Sequence, residues 1–234
     1  MTGDFRSSRF VDFDTGEVFL APMQLLRQKK GHLQFADKVE IFECRVDVWQ
    51  LGVAAKMLRE MERDMEDPNR SEIWAHAAYG LIAMIFPYFE MIGKTINPGS
   101  KKSGTAGDDF KAGFCDVYPQ FKAADGTCSP EVSKFWDRIR NGVYHLGYTK
   151  KGLFIHHNNR ISTSDFDSKL GADLPKEMGV SGNERVYLMD PHRATRTIIQ
   201  HFSTFISHLN QPASQSSGLQ AKFKEFFDEF HNPR

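Results

Sequence analysis

Three cysteines, Cys44, Cys115 and Cys128, are too few and too widely spaced for a disulfide framework or a Cys-x-x-Cys zinc pattern. Reduced thiols are therefore expected, as in a cytoplasmic protein, where disulfides are rare. Charge of one sign is also missing: Lys plus Arg number 30 and Asp plus Glu 30, a formal net charge of zero. A sequence-reading DNA binder usually carries a basic excess, so this balance argues against one and leaves room for a local basic cleft. No stretch reaches the roughly 18 apolar residues of a spanning helix, and "MTGDFRSSRFVDFD" has no apolar signal-peptide core, so no membrane association is expected. Gly-x-Ser-x-Gly, His-Glu-x-x-His, P-loop and Gly-x-Gly-x-x-Gly patterns are missing as well. That removes the commonest hydrolase, metalloprotease and nucleotide-fold readings, and no cofactor or metal is expected.

What is present is a 234-residue chain with 40% apolar and 26% charged residues, enough to bury a sizeable core. "FVDFDTGEVFL" alternates around Asp14-Thr15-Gly16 and reads as a β-hairpin. Val39, Phe42, Val46, Trp49, Val53, Met57, Met61 and Met65 then recur at steps of three and four, predicting one apolar face over about seven helical turns. Pro68 and Asn69 break that helix, and Ser71 can cap a second one running to about Lys94. This second helix carries Trp74, Ala77, Ala78, Leu81, Ile82, Ile85, Phe86 and Phe89 and is expected to be the central one, with Pro87 kinking it or ending its regular part.

"TINPGSKKSGTAGDD" reads as a loop, and the stretch to Thr127 has weak periodicity with room for one short helix, so no role is assigned to residues 95–128. Ser129 as N-cap, Pro130 at N1 and Glu131 open a third helix with Val132, Phe135, Trp136, Ile139 and Val143 on its buried face, ending between Val143 and Gly147. "GLFIHHN" and "ERVYLMD" read as strands separated by a polar loop. Asp190-Pro191 starts a fourth helix with Ala194, Ile198, Ile199, Phe202, Phe205, Ile206 and Leu209 inward. "NQPASQSSG" reads as a linker to the amphipathic "LQAKFKEFFDEF".

The expected fold is all-α, a four-to-five-helix bundle with a short N-terminal β-hairpin and a small two-stranded insertion after the third helix. Residues 1–32 form an N-terminal extension, 33–210 the helical domain, and 211–234 a linker and C-terminal helix.

Arginine followed five to seven positions later by histidine occurs at Arg27/His32, Arg70/His76, Arg138/His145, Arg140/His145, Arg185/His192 and Arg196/His201, so that spacing alone selects nothing. Arg196 and His201 would point about 140° apart on one helix. Context singles out Arg140: a polar Asn141 follows it, and His145 sits just before a helix-terminating glycine. On a continuing helix Asn141, His145 and Arg138 share a face, with Tyr144 beside them and Lys150 and Lys151 adding positive charge beyond. A cationic edge at the end of an apolar helix suits a phosphate.

A helical bundle whose penultimate core helix ends in "RNGVYH", Arg140 through His145, resembles the HEPN superfamily over roughly residues 36–210. The resemblance implies RNA or nucleotide binding, a homodimer, and in many members metal-independent endoribonuclease activity. On it, Arg140, Asn141 and His145 would be catalytic, and Arg138, Tyr144, Lys150 and Lys151 would bind phosphate or RNA. It also admits an antitoxin-type protein partner, and a non-catalytic interaction or assembly module of the same fold as the alternative.

The other candidates read as structural. His156 and His157 are adjacent in a strand and point to opposite faces. His201 and His208 share a helix face but lack further ligands. Cys44 reads as a half-buried small residue. The terminal phenylalanines Phe223, Phe226, Phe227 and Phe230 must be covered by the bundle or by a second copy.

Overall fold

The computed structural model describes residues 9–11, 18–20, 33–66, 77–98, 106–139, 153–155 and 187–231. Most of them are helical. Among the described residues seven α-helices follow in order: α1 Phe35–Val46, α2 Gly52–Glu66, α3 Ala78–Ile96, α4 Ala106–Val117, α5 Pro130–Ile139, α6 Pro191–Leu209 and α7 Ala213–His231. Two pairs of three-residue strands accompany them. Strand β1 (Arg9–Val11) pairs antiparallel with β2 (Val18–Leu20), and β3 (Leu153–Ile155) pairs parallel with β4 (Tyr187–Met189). The expected hairpin turn, the polar loop after β3, Ser71 with Trp74, and the end of the third helix at Val143–Gly147 lie outside the described residues. Among the described residues no helix is long and apolar enough to cross a membrane.

Between α1 and α2 lies a five-residue π-helical segment, Asp47–Leu51. Its wider turn holds one more residue than an α-turn, so it rotates everything after it relative to everything before. Val39, Phe42 and Val46 are buried as the periodicity predicts; the stripe then resumes at Leu51, Ala54, Leu58 and Met61. Val53, expected inside, is 43% exposed, and among the described residues it is the one large apolar side chain in that class. Gly52 closes the wide turn: its N–H donates to the Asp47 carbonyl, and a β-carbon there would sit 2.7 Å from that oxygen. Gln50, inside the segment, donates from Nε2 to the Met84 carbonyl on α3 at 2.8 Å, tying the irregular turn to the central helix. The register shift has a direct test. Leu58→Ala should cost about 2–5 kcal/mol by opening a cavity, whereas Val53→Lys should stay within about 0.5 kcal/mol. Urea denaturation of the two variants checks this, and a large loss at Val53 would restore the uninterrupted stripe.

Helix α3 is the centre of the bundle, as its apolar sequence predicts: Leu81, Ile82, Ile85, Phe86, Phe89 and Ile92 are at most 1% exposed. Pro87 does not end it: the residue faces solvent, and the helix continues to Ile96. Helix α4 packs antiparallel on its C-terminal half, Gly93 meeting Asp109 and Phe89 meeting Gly113 backbone to backbone. The first turn of α4, read from sequence as loop, is therefore helix, and Asp109 within it is 7% exposed. Glycine-rich composition masked the start of an element whose Gly113 serves close packing. Phe110 stacks with Phe86 and Phe114, and the Phe135 ring of α5 meets Phe86 and Phe114 at a tilt, so the start of α5 is fixed against both helices.

Helix α6 starts where Asp190-Pro191 predicts, with Asp190 Oδ1 accepting from the backbone N–H groups of His192 and Arg193 at 2.9 and 3.2 Å. Its Ala194, Ile198, Phe202, Phe205, Ile206 and Leu209 are buried, and Ile199 packs partly buried against the core. The expected linker is short. Helix α7 begins at Ala213, and polar residues of its first turns satisfy backbone groups: Ser216 donates to the Gln211 carbonyl, and Gln220 Nε2 to the carbonyls of Leu209, the last residue of α6, and of Gln211 just beyond it. Phe223, Phe226 and Phe227 of α7 are covered by this chain's own helices α1 and α6, Phe42 meeting Phe223 and Phe226, and the Lys38–Asp228 ion pair pins α7 to α1. The terminal helix thus needs no second copy to cover these rings.

Cys115, on the last turn of α4, and Cys128, just before α5, form a disulfide with Cα atoms 6.1 Å apart. This corrects the expectation of three reduced thiols. The 13-residue separation looks unpaired in sequence, but a 3₁₀ turn at Pro119–Phe121 reverses the chain and the Lys122–Cys128 bridge returns it to α4.

Candidate functional site

Helix α5 begins at Pro130 and is held by Val132 and Phe135, both 0% exposed, and by Trp136, whose ring lies 4.5 Å from that of Phe110. Arg138 lies in its last described turn. Arg140, Asn141, Tyr144, His145, Lys150 and Lys151 follow directly in sequence and lie outside the described residues, as do His156 and His157. The structure thus fixes the stem from which the motif continues.

The polar group that the described residues do assemble was not anticipated from sequence. His201, on the inward side of α6, has both ring nitrogens engaged: Nδ1 lies 2.7 Å from the Tyr88 hydroxyl of α3, and Nε2 lies 3.2 Å from Asp116 Oδ2 of α4. Lys122 approaches the other Asp116 oxygen at 3.9 Å. Burial, with the Asp116 charge adding to it, pushes the Tyr88 hydroxyl well above its ordinary value, so it keeps its proton. With a neutral imidazole, Tyr88 donates to Nδ1 and Nε2–H donates to Asp116; with an imidazolium, Nδ1–H donates to Tyr88 instead. With the neutral imidazole every hydrogen of the three groups' mutual contacts has an acceptor among them.

These are the residue types of an acid–base relay, but they are arranged the wrong way round for one. The hydroxyl end is fully buried, and the carboxylate end is the one that reaches solvent. No substrate meets Tyr88, so the group is a clamp joining α3, α4 and α6. The signal for it was a histidine beside Phe202 on an apolar helix face; its partners, 113 and 85 residues away, carry no local mark.

Burial raises the Asp116 carboxyl, yet the His201 hydrogen bond, the imidazole charge and Lys122 outweigh it and hold the group below its ordinary value. A carboxyl depressed in the folded state contributes stability that is present above its unfolded pKa and lost as pH falls through the folded one. Asp116→Asn should therefore lower the urea midpoint at pH 6, and the gap to wild type should narrow below about pH 4. Tyr88→Phe, which leaves His201 Nδ1 short of a buried partner, should cost about 1–3 kcal/mol. A constant gap from pH 6 to pH 3 for Asp116→Asn would contradict the clamp.

A second cluster joins the end of α2 to the start of α6. Glu62 Oε1 accepts from Arg196 Nη2 and lies 3.4 Å from His192 Nδ1. Arg196 and His201 thus reach different partners on different sides of α6, as their angular separation predicts. His208 is exposed, and His201 is already engaged; among the described residues no group of three or more His, Cys, Asp or Glu side chains is disposed to hold a metal ion. Cys44 is half-buried. Burial raises its thiol, and the acids Glu40, Asp47 and Glu43 raise it further, which disfavours the nucleophilic thiolate.

No protein-family model matches the chain, and neither do the curated proteins or the solved structures.

Proposed function

We propose that this chain is a HEPN-like protein that binds RNA or a nucleotide and cleaves RNA without a metal ion, acting as a homodimer. The observation supporting this reading is the run Arg140-Asn141-x-x-x-His145, which continues directly from a helix fixed in an aromatic core at its other end. A neutral imidazole at His145 can take the proton from an RNA 2′-hydroxyl, and its conjugate acid can protonate the leaving oxygen. Arg140 stabilises charge growing on the phosphoryl oxygens, and Asn141 orients the histidine or the phosphate. Arg138, Tyr144, Lys150 and Lys151 hold the strand beside them. The need for a 2′-hydroxyl separates RNA from DNA.

The test uses the full chain with labelled single-stranded RNA and DNA of the same sequence, in EDTA, with light scattering on the same sample. Cut RNA, intact DNA and a dimer at micromolar concentration are expected. A protein that neither cuts nor binds RNA would overturn the proposal, and a non-catalytic assembly module, including one answering to an antitoxin-type protein partner, would take its place.

A further inference from the structure

We propose that Cys115 and Cys128 form a reversible thiol–disulfide site that exchanges with low-molecular-weight thiols and disulfides through Cys128, locking the strap between α4 and α5 when oxidised. The two sulfurs are unequal. Cys115 is 2% exposed, beneath the strap, whereas Cys128 is half-buried at the end of a run of exposed residues from Lys122 to Thr127. A small thiol can therefore reach only one of them.

The site accommodates both redox states. Cys115 Sγ lies 3.5 Å from the Phe121 carbonyl and Cys128 Sγ 3.3 Å from the Lys111 carbonyl, so each thiol, once formed, has an acceptor already in place. The strap is also closed without the sulfur bond. Ser129 N–H donates to the Phe121 carbonyl at 2.9 Å, Ala123 N–H to the Thr127 carbonyl at 2.8 Å, and Thr127 N–H to Asp125 Oδ1 at 2.9 Å. The dithiol is held with its sulfurs together, which favours closure over a lasting mixed disulfide.

In the reducing direction a thiolate RS⁻ attacks Cys128 Sγ. The Cys115–Cys128 bond breaks, and Cys115 leaves as a thiolate that takes a proton from water. A second RS⁻ attacks the outer sulfur of the Cys128–S–S–R mixed disulfide, releasing RSSR and the Cys128 thiolate, which is protonated in turn. The sum is protein disulfide plus two RSH giving protein dithiol plus RSSR, and a disulfide such as oxidised glutathione drives the reverse. Oxidation ties the end of α4, next to Asp116 of the clamp, to the residue two before α5. Cys44, with its thiol raised by burial and neighbouring acids, is the spectator.

The experiment equilibrates the full chain across ratios of reduced to oxidised glutathione, quenches with acid, and counts alkylated cysteines by mass after denaturation. At the oxidising end Cys44 alone should be alkylated; at the reducing end all three cysteines should be. Brief alkylation of the native reduced protein should label Cys128 before Cys115. The thermal midpoint of oxidised wild type should exceed that of reduced wild type by about 6–12 °C, the effect of closing a loop of this length in a chain of this size. Cys128→Ser should lose the dependence on redox state. Three alkylated cysteines at every ratio, Cys115 labelled first, or equal midpoints in the two wild-type states would each overturn the proposal. The wild-type comparison requires no variant to fold.

Discussion

Gly113→Ala should leave little folded protein under conditions where the wild type is fully native. A β-carbon at this position would lie 1.9 Å from the Phe89 carbonyl oxygen and 2.8 Å from the Gly93 nitrogen. Both are backbone atoms of α3, so no side chain can swing aside. Relief requires α3 and α4 to move apart, which opens the ring contacts of Phe89 with Phe110 and Phe114. Overpacking where side chains can adjust typically costs about 1–3 kcal/mol, and a backbone-to-backbone clash should exceed that range. Gly93→Ala should behave alike, its β-carbon falling 1.7 Å from the Asp109 carbonyl oxygen. Gly218 supplies the control: it lies within α7 with nothing near an added β-carbon, so Gly218→Ala should stabilise by up to about 1 kcal/mol through helix propensity. Urea denaturation of the three variants reads all of this, and a Gly113→Ala midpoint equal to wild type would contradict the close packing of α3 on α4.

His145→Ala should lower RNA cleavage by about 10²–10⁴, the usual effect of removing a positioned acid or base. Arg140→Ala should reduce the rate while leaving the thermal midpoint near that of wild type. Arg138 is the rival for the same role, because on a helix continued to His145 seven residues would bring it round to the same side. If Arg138→Ala abolishes cleavage and Arg140→Ala does not, the phosphate-stabilising role passes to Arg138 and the site itself stands. Loss of folding in both arginine variants would instead make the pair structural.

Where burial followed regular helical spacing, the sequence was readable. Leu81, Ile82, Ile85, Phe86 and Phe89 of α3, and Ala194, Ile198, Phe202, Phe205, Ile206 and Leu209 of α6, are inward as their periodicity predicts. Legibility failed where a local signal had a tertiary cause. The π-turn at Asp47–Leu51 rotates the stripe by one residue, and nothing in "DVWQL" announces it. The glycine-rich start of α4 resembles a loop until α3 is laid against the helix at Gly113. Serines and glutamines after Leu209 look like a linker because their backbone partners lie in the preceding helix end. The Cys115–Cys128 link and the Tyr88–His201–Asp116 clamp depend on chain returns that no single-window pattern contains. The candidate site divides in the same way: the motif is legible as sequence, and its stem α5 is seen to be anchored at Val132 and Phe135.

The most direct test of the functional account is the chemical nature of the RNA ends produced in EDTA. Attack by the 2′-hydroxyl, with His145 as base and then acid, forms a 2′,3′-cyclic phosphate on one fragment and a free 5′-hydroxyl on the other. Mass spectrometry of the products should show those ends for wild type and essentially none for His145→Ala. Ends bearing a 5′-phosphate, cleavage that stops in EDTA, or equal product from wild type and His145→Ala would contradict it.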